Sequence, residues 1–212
     1  MEDIKRQIAQ SLLQIKAIKL NPANYFTWAS GWRSPIYCDN RRILSHPAIR
    51  RQVCEAFAGV VARRYPDVEV LAGVATGAIA HGALVAEAMG LPFIYVRSSP
   101  KSHGLANQVE GEVAPGARVV VIEDLISTGG SSLGAVEVLR EAGCRVQGMA
   151  AIFTYGFAQA VENFARAGVA LDTLCDYQTM IALAAEQGYV QPSELDTLRR
   201  WREDPAGWMQ DK

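Results

Sequence analysis

Five short apolar runs alternate with helical stretches over the last two-thirds of this chain, and that alternation limits its fold more than any other feature. The runs are EVLAGVA (69–75), PFIYVR (92–97), RVVVIED (118–124), RVQGMAAIF (145–153) and LDTLCD (171–176). Helical patterns separate most of them: HGALVAEAMG (81–90), SSLGAVEVLREAGC (131–144) and FAQAVENFARAG (157–168). Strands that are apolar throughout, rather than at every second residue, are covered on both faces. Strand–helix–strand repetition then predicts an α/β fold, a mostly parallel twisted sheet flanked by helices. The chain has 212 residues, half of them in the hydrophobic set, which suits one domain spanning 1–212.

The N-terminal third has another character. Residues 3–19 read as a helix, with Ile4, Ile8, Leu12, Ile15 and Ile18 near helical spacing. Then FTWASGWRSPIYCDNR brings aromatic and turn residues. Two short strands are predicted there around a Ser-Gly-Trp-Arg-Ser-Pro turn. Pro47 opens a helix that Pro66 stops near Arg64. Residues 98–117 have no strong period, with a short hairpin possible near Gln108 to Val113, and short helices close the chain at about 178–187 and 193–203.

In open parallel sheets ligands bind at the carboxyl ends of the strands. There this sequence places Thr76-Gly77-Ala78, SSPKSHG, EDLISTGGSS and Thr154-Tyr155-Gly156, all rich in glycine, hydroxyl or charge. Ser127 to Ser132 carries four hydroxyls and two glycines just before a helix. A helix N-terminus offers free N–H donors to an anion, and glycine lets a phosphate approach the backbone. An ordinary N-cap has the same residues, so the turn alone favours phosphate only modestly. Glu123 and Asp124 add the constraint. Two acids repel a bare phosphate, but they suit a ribose 5-phosphate, whose hydroxyls donate to carboxylates. They also suit a ribosyl cation formed when the bond at C1' breaks.

Several classes are excluded. GxxxxGK[ST] and GxGxxG are absent. The cysteines Cys38, Cys54, Cys144 and Cys175 form no CxxC pair and no metal cluster with His46, His81 or His103, and read as reduced thiols. A net charge of −1 argues against general nucleic-acid binding. No apolar run approaches the roughly 20 residues that span a bilayer. The amphipathic start lacks the core of a signal peptide, so a cytoplasmic protein is expected.

VIEDLISTGGS (121–131) resembles the signature of transferases that use 5-phosphoribosyl 1-diphosphate, PRPP. Together with FTWASGWRSPIYCDNR, VRSSPKSHG and AIFTYGF it resembles orotate phosphoribosyltransferases, one bacterial branch in particular, from the first helix to about Trp201. The resemblance implies the type I phosphoribosyltransferase fold, with a small hood contributed by residues of about 1–45. It implies transfer of a phosphoribosyl group from PRPP to orotate, giving orotidine 5'-monophosphate in pyrimidine biosynthesis. It further implies Mg²⁺, held by substrate oxygens and waters with no direct protein ligand, and a homodimer that shares a mobile loop between subunits.

Residue roles follow by the same resemblance. Arg97, Lys101 and His103 belong to the mobile loop and meet the diphosphate. Thr76 and Gly77 form the pyrophosphate loop. Glu123 and Asp124 meet the ribose hydroxyls and cationic C1', with Lys101 as the third catalytic group. Leu125, Ile126 and Ser127 continue the PRPP motif, and Thr128, Gly129, Gly130 and Ser131 cradle the 5'-phosphate. Ser127 also meets orotate, with Arg33 a candidate cation near its carboxylate. Other branches carry lysine where Ala29 and Gly77 stand, a basic residue at Ser98, and arginine near Tyr155. These departures leave open how the orotate carboxylate is held: by backbone donors of the N-terminal turn, or by Arg33. A purine phosphoribosyltransferase and a non-catalytic PRPP-binding regulator are the alternatives. The hood segment argues against the first, and the retained Lys101 and His103 against the second.

Overall fold

The computed structural model describes residues 2–28, 30–99 and 108–208. The elements run α1 (Glu2–Gln14), β1 (Ile18–Leu20), β2 (Phe26–Thr27), β3 (Arg33–Ser34), β4 (Ile36–Cys38), a 3-10 helix (Asn40–Ser45), α2 (Pro47–Arg64), β5 (Val70–Val74), α3 (Ile79–Met89) and β6 (Phe93–Val96). They continue with β7 (Val109–Glu110), β8 (Arg118–Ile126), α4 (Gly130–Glu141), β9 (Arg145–Thr154), α5 (Ala158–Ala167), β10 (Leu171–Asp176), α6 (Tyr177–Glu186), a 3-10 turn (Pro192–Glu194) and α7 (Leu195–Glu203). The main sheet has the order β10-β9-β8-β5-β6-β7, parallel except for β7.

The expected double cover is present. Along β8, Val120 and Ile122 pack into a core with Leu12, Phe57 and Trp201, while Val119 and Val121 pack into a second core with Val136, Leu139 and Phe164. α1, α2, α3, α6 and α7 thus cover one face, and α4 and α5 the other. The period of two has a direct consequence for the acids. Glu123 continues the Val119–Val121 face toward α4, and Asp124 turns to the opposite face.

Three local expectations change. The first helix stops at Gln14, not at residue 19, because Lys16 adopts φ 56° and Ile18–Leu20 leaves to pair antiparallel with Ile36–Cys38. The third strand does not end at the acids; it runs on to Ile126, with Leu125 opposite Phe153 and Ile126 opposite Thr154. The segment near Gln108 forms no hairpin of its own; Val109 and Glu110 pair antiparallel with Val96 and Tyr95. Boundaries elsewhere shift by one to three residues.

α1 is tied to the far edge of the sheet. Lys5 Nζ lies 2.5 Å from Asp176 Oδ2, while Asp176 Oδ1 accepts the Thr179 N–H at 2.9 Å as the N-cap of α6. Burial opposes ionisation of Asp176, but the Lys5 ammonium and the Thr179 N–H outweigh it and hold this carboxyl below its ordinary range. Asp176→Ala is expected to cost about 1 kcal/mol at neutral pH. A depressed carboxylate stabilises above its unfolded-state pKa, and that contribution disappears as pH falls through the folded-state value. Chemical denaturation at several pH values should therefore show wild type and variant converging in acid.

Candidate active site

Two clefts open side by side at the carboxyl edge of the sheet. The first, about 490 Å³, is floored by Glu123 and Asp124 and walled by the loop after β5 and the turn before α4. The second, about 690 Å³, lies under the β2–β3 hairpin and is walled by Trp28, Trp32, Tyr37 and Tyr155. Cys38, Leu125, Ser127 and Thr128 line both. A ligand with a phosphate at one end and a flat ring at the other would span them.

The phosphate-like turn has the geometry that its residues suggest. Gly129 is the N-cap of α4, at φ +82°, and a Cβ there would lie 2.7 Å from the Phe164 ring. Only glycine suits both conditions. Asn163 Nδ2 donates to the Thr128 carbonyl at 3.0 Å and steadies the turn. Among the described residues no side chain caps α4, so its first N–H groups are left to an anion.

The two acids occupy different environments. Glu123 is 4% exposed; its Oε2 accepts from Ser132 Oγ at 2.7 Å, and its Oε1 from the Asp124 N–H at 2.9 Å. Burial, with Asp124 adding to it, pushes its pKa well above the ordinary carboxylate range. Asp124 is half-buried, and its carboxyl lies over Gly77, where a Cβ would come within 2.5 Å of it. A side chain at 77 and this placement of Asp124 exclude each other. The Ala75–Thr76 peptide bond of this loop is cis.

Not every expected residue meets the clefts. Arg33 lines neither one; its carbonyl accepts from Trp201 Nε1 at 3.2 Å. Arg97 leaves β6 with its backbone paired to Gln108 and its guanidinium 3.5 Å from Glu110. It borders a small cavity of about 170 Å³ beside Ala75 and Ser131. Lys101 and His103 lie outside the described residues, as does Ala29. Thr76, Gly77 and Ser127 to Ser131 are all brought together in the first cleft, and Leu125 joins them there. Ile126 is fully buried and contributes to the core instead.

The sequence reading missed part of the walls. Asp39 and Arg41, paired at 2.6 Å, line the first cleft. Asn40, 1% exposed, donates to the Asp124 carbonyl at 2.6 Å. Their signal was the polar DNRR directly after an apolar strand. The second cleft is aromatic: Trp28 stacks on Trp32 at 6.2 Å, and Tyr155 lies 5.1 Å from Trp28 and stacks on Phe157 at 5.3 Å. No charged residue is among its described lining residues; the hydroxyl residues Thr27, Ser30, Tyr37, Ser127, Thr128 and Tyr155 are.

Among the described residues no cluster of three or more His, Cys, Asp or Glu is set to hold a metal. The four cysteines are free, with Cys144 and Cys175 buried. No helix among the described residues is long and apolar enough to cross a membrane.

Residues 39–165 match the phosphoribosyl transferase domain family. The orotate phosphoribosyltransferase of Porphyromonas gingivalis is 56% identical over 208 residues, 98% of this chain and 99% of that protein. Among solved structures, the orotate phosphoribosyltransferase of Aeropyrum pernix superposes with a TM-score of 0.75 at 31% identity, covering 86% of this chain and 99% of that one. Leishmania donovani UMP synthase superposes with a TM-score of 0.79 at 27% identity, covering 93% of this chain and 42% of that one.

Proposed function

We infer the function from the premise that this chain belongs to the orotate phosphoribosyltransferases, within the phosphoribosyl transferase family. It is a glycosyltransferase of pyrimidine biosynthesis that transfers the phosphoribosyl group of PRPP to orotate, giving orotidine 5'-monophosphate and diphosphate. The observation that carries this reading is the pair of adjoining clefts, one built for a ribose phosphate and one for a flat ring, with Ser127 and Thr128 common to both.

The proposed mechanism follows the walls. The 5'-phosphate takes the N–H groups of Gly130 and Ser131 at the start of α4, whose dipole favours negative charge. The diphosphate lies toward Thr76 and Gly77, with Arg97, Lys101 and His103 approaching it from the loop after β6. Orotate enters between the aromatic walls, with Ser127 against it. The orotate N1 anion forms the bond to C1' as the C1'–O bond breaks, and diphosphate leaves with the electron pair. No proton needs to move. The cation that develops at C1' is stabilised by the carboxylate of Asp124. Exclusion of water would keep it from hydrolysis.

Mg²⁺ fits this donor set. Substrate oxygens and waters would hold it, and Asp124 on the floor of the first cleft would meet it through water, with Glu123 engaged behind it. When bound, it would neutralise part of the charge on the diphosphate. We propose a cytoplasmic homodimer that shares the loop after β6 between subunits. The orotate carboxylate is assigned to hydroxyl and backbone donors of the hairpin, because Arg33 lies outside the lining of the aromatic cleft.

A spectrophotometric assay with PRPP and Mg²⁺ tests the reading. Orotate should be consumed, and adenine and hypoxanthine should not. Consumption of a purine alone would establish the purine alternative. Calorimetric binding of PRPP with no turnover on any base would establish the regulator. Neither alternative is favoured by the comparisons.

A further inference from the structure

We propose that Asn40 is a positioning residue that holds Asp124 in place by supplying the backbone hydrogen bond that the sheet does not. The effect on rate rests on the transferase reading. The pairing of β5 with β8 ends at Gly73 opposite Ile122. On the other side, the pairing with β9 keeps one register from Ala151 opposite Glu123 to Phe153 opposite Leu125, and Asp124 between them has no ladder partner of its own. The peptide groups of Asp124 take side-chain partners instead. Its N–H donates to Glu123 Oε1 at 2.9 Å, and its carbonyl accepts from Asn40 Nδ2 at 2.6 Å.

Asn40 is itself held on several sides. It begins the 3-10 helix just after β4 and is 1% exposed. The buried His81 imidazole, on α3, and the Cys38 thiol lie close to its backbone. Asparagine is the residue this place requires: a short, planar side chain that donates. Aspartate would set an acceptor against the carbonyl and a second negative charge beside Asp124. Alanine would leave the carbonyl without its partner.

The bond also sets two parts of the site in register. Tyr37 and Cys38, on β4, wall the aromatic cleft, and Asn40, two residues later, holds the acid of the other cleft. The placement of the ring and the placement of the carboxylate therefore share one short segment. If that tie is cut, both substrates still find their clefts, but C1' and the acid are no longer aligned. The loss should fall on kcat rather than on KM.

The test compares Asn40→Ala, Asn40→Asp and Asn40→Ser with Ser11→Ala. The last deletes another part-buried hydrogen bond, from Ser11 Oγ to Gln52 Oε1 at 2.7 Å, between α1 and α2 and outside both clefts. Asn40→Ala and Asn40→Asp are expected to lower kcat on orotate about 100-fold, with the KM of each substrate changed less than about threefold. Asn40→Ser, which keeps a donor, should recover part of the loss. Ser11→Ala should keep wild-type kcat. A crystal structure of Asn40→Ala should show Asp124 displaced from above Gly77, and this reading needs no substrate. If wild type does not turn over orotate, the transferase reading fails, and the position of Asp124 in the variant still decides the role of Asn40. Asp124 unmoved in that structure, or wild-type kcat in the folded Asn40 variants, overturns the proposal.

Discussion

Trp201→Ala is expected to lower stability by about 3–5 kcal/mol. It should also weaken the aromatic cleft while leaving the phosphate cleft nearly intact. Trp201 is fully buried and is the largest side chain so placed. Its ring lies 5.6 Å from Trp28, Tyr155 and Tyr177 and 5.5 Å from Phe157, and its Nε1 donates to the Arg33 carbonyl at 3.2 Å. One side chain from the last helix therefore joins the β2–β3 hairpin to the end of β9. Removing it leaves a large cavity, an orphaned carbonyl and a hairpin resting on fewer contacts. Chemical denaturation reads the stability. Kinetics read the rest: the KM for orotate should rise several-fold, and that for PRPP should hold. Trp201→Phe should recover most of the packing but not the bond to Arg33. Equal changes in both KM values would show that Trp201 supports the whole sheet edge rather than the hairpin.

The contrast between that hairpin and the main sheet shows what was legible in the sequence. Apolar runs such as RVVVI and MAAIF declare buried parallel strands without reference to any partner, and the loops after them declare the binding edge. The glycine-rich turn was equally legible, because N-terminal helix geometry is local. The N-terminal third depends on distant partners. Ile15 and Ile18 keep helical spacing, yet β1 forms because Ile18 finds Cys38 across an antiparallel pair. The β2–β3 pair was expected from its turn and aromatic residues, because two residues on each side are too few for period to show, and the sequence did not place its second strand at Arg33–Ser34. Trp201 reaches the Arg33 carbonyl from 168 residues away, a tie that no local pattern shows. Asn40 and Asp124, 84 residues apart, could not be connected by any local pattern. The acids were found but given one shared task, because the sequence does not show which of two neighbours is buried.

Separating those acids gives the largest kinetic effect. Asp124→Asn is expected to lower kcat about 10²–10³-fold, as the removal of a fixed group facing developing charge does. Glu123→Gln is expected to cost only a few-fold at neutral pH. Asparagine at 124 keeps the shape and the backbone bonds to Asn40 and Glu123, so the variant removes charge from the cleft without moving the strand. Glutamine at 123 can still accept from the Asp124 N–H and donate to Ser132 Oγ. It also replaces a carboxyl whose ionisation burial and Asp124 already oppose, so little charge is lost. The same shift sets a pH signature. An acid whose folded-state pKa is raised contributes stability in full below its unfolded-state value, and that contribution is lost as pH rises through the folded-state value. Wild type should therefore lose stability relative to Glu123→Gln as pH rises from the ordinary carboxylate range upward, and thermal unfolding across that range checks it. Initial rates on orotate, with PRPP binding followed by calorimetry, check the kinetic half. Equal losses of kcat in the two variants would return the acids to a shared role at C1'. Unchanged turnover in Asp124→Asn would make the pair structural.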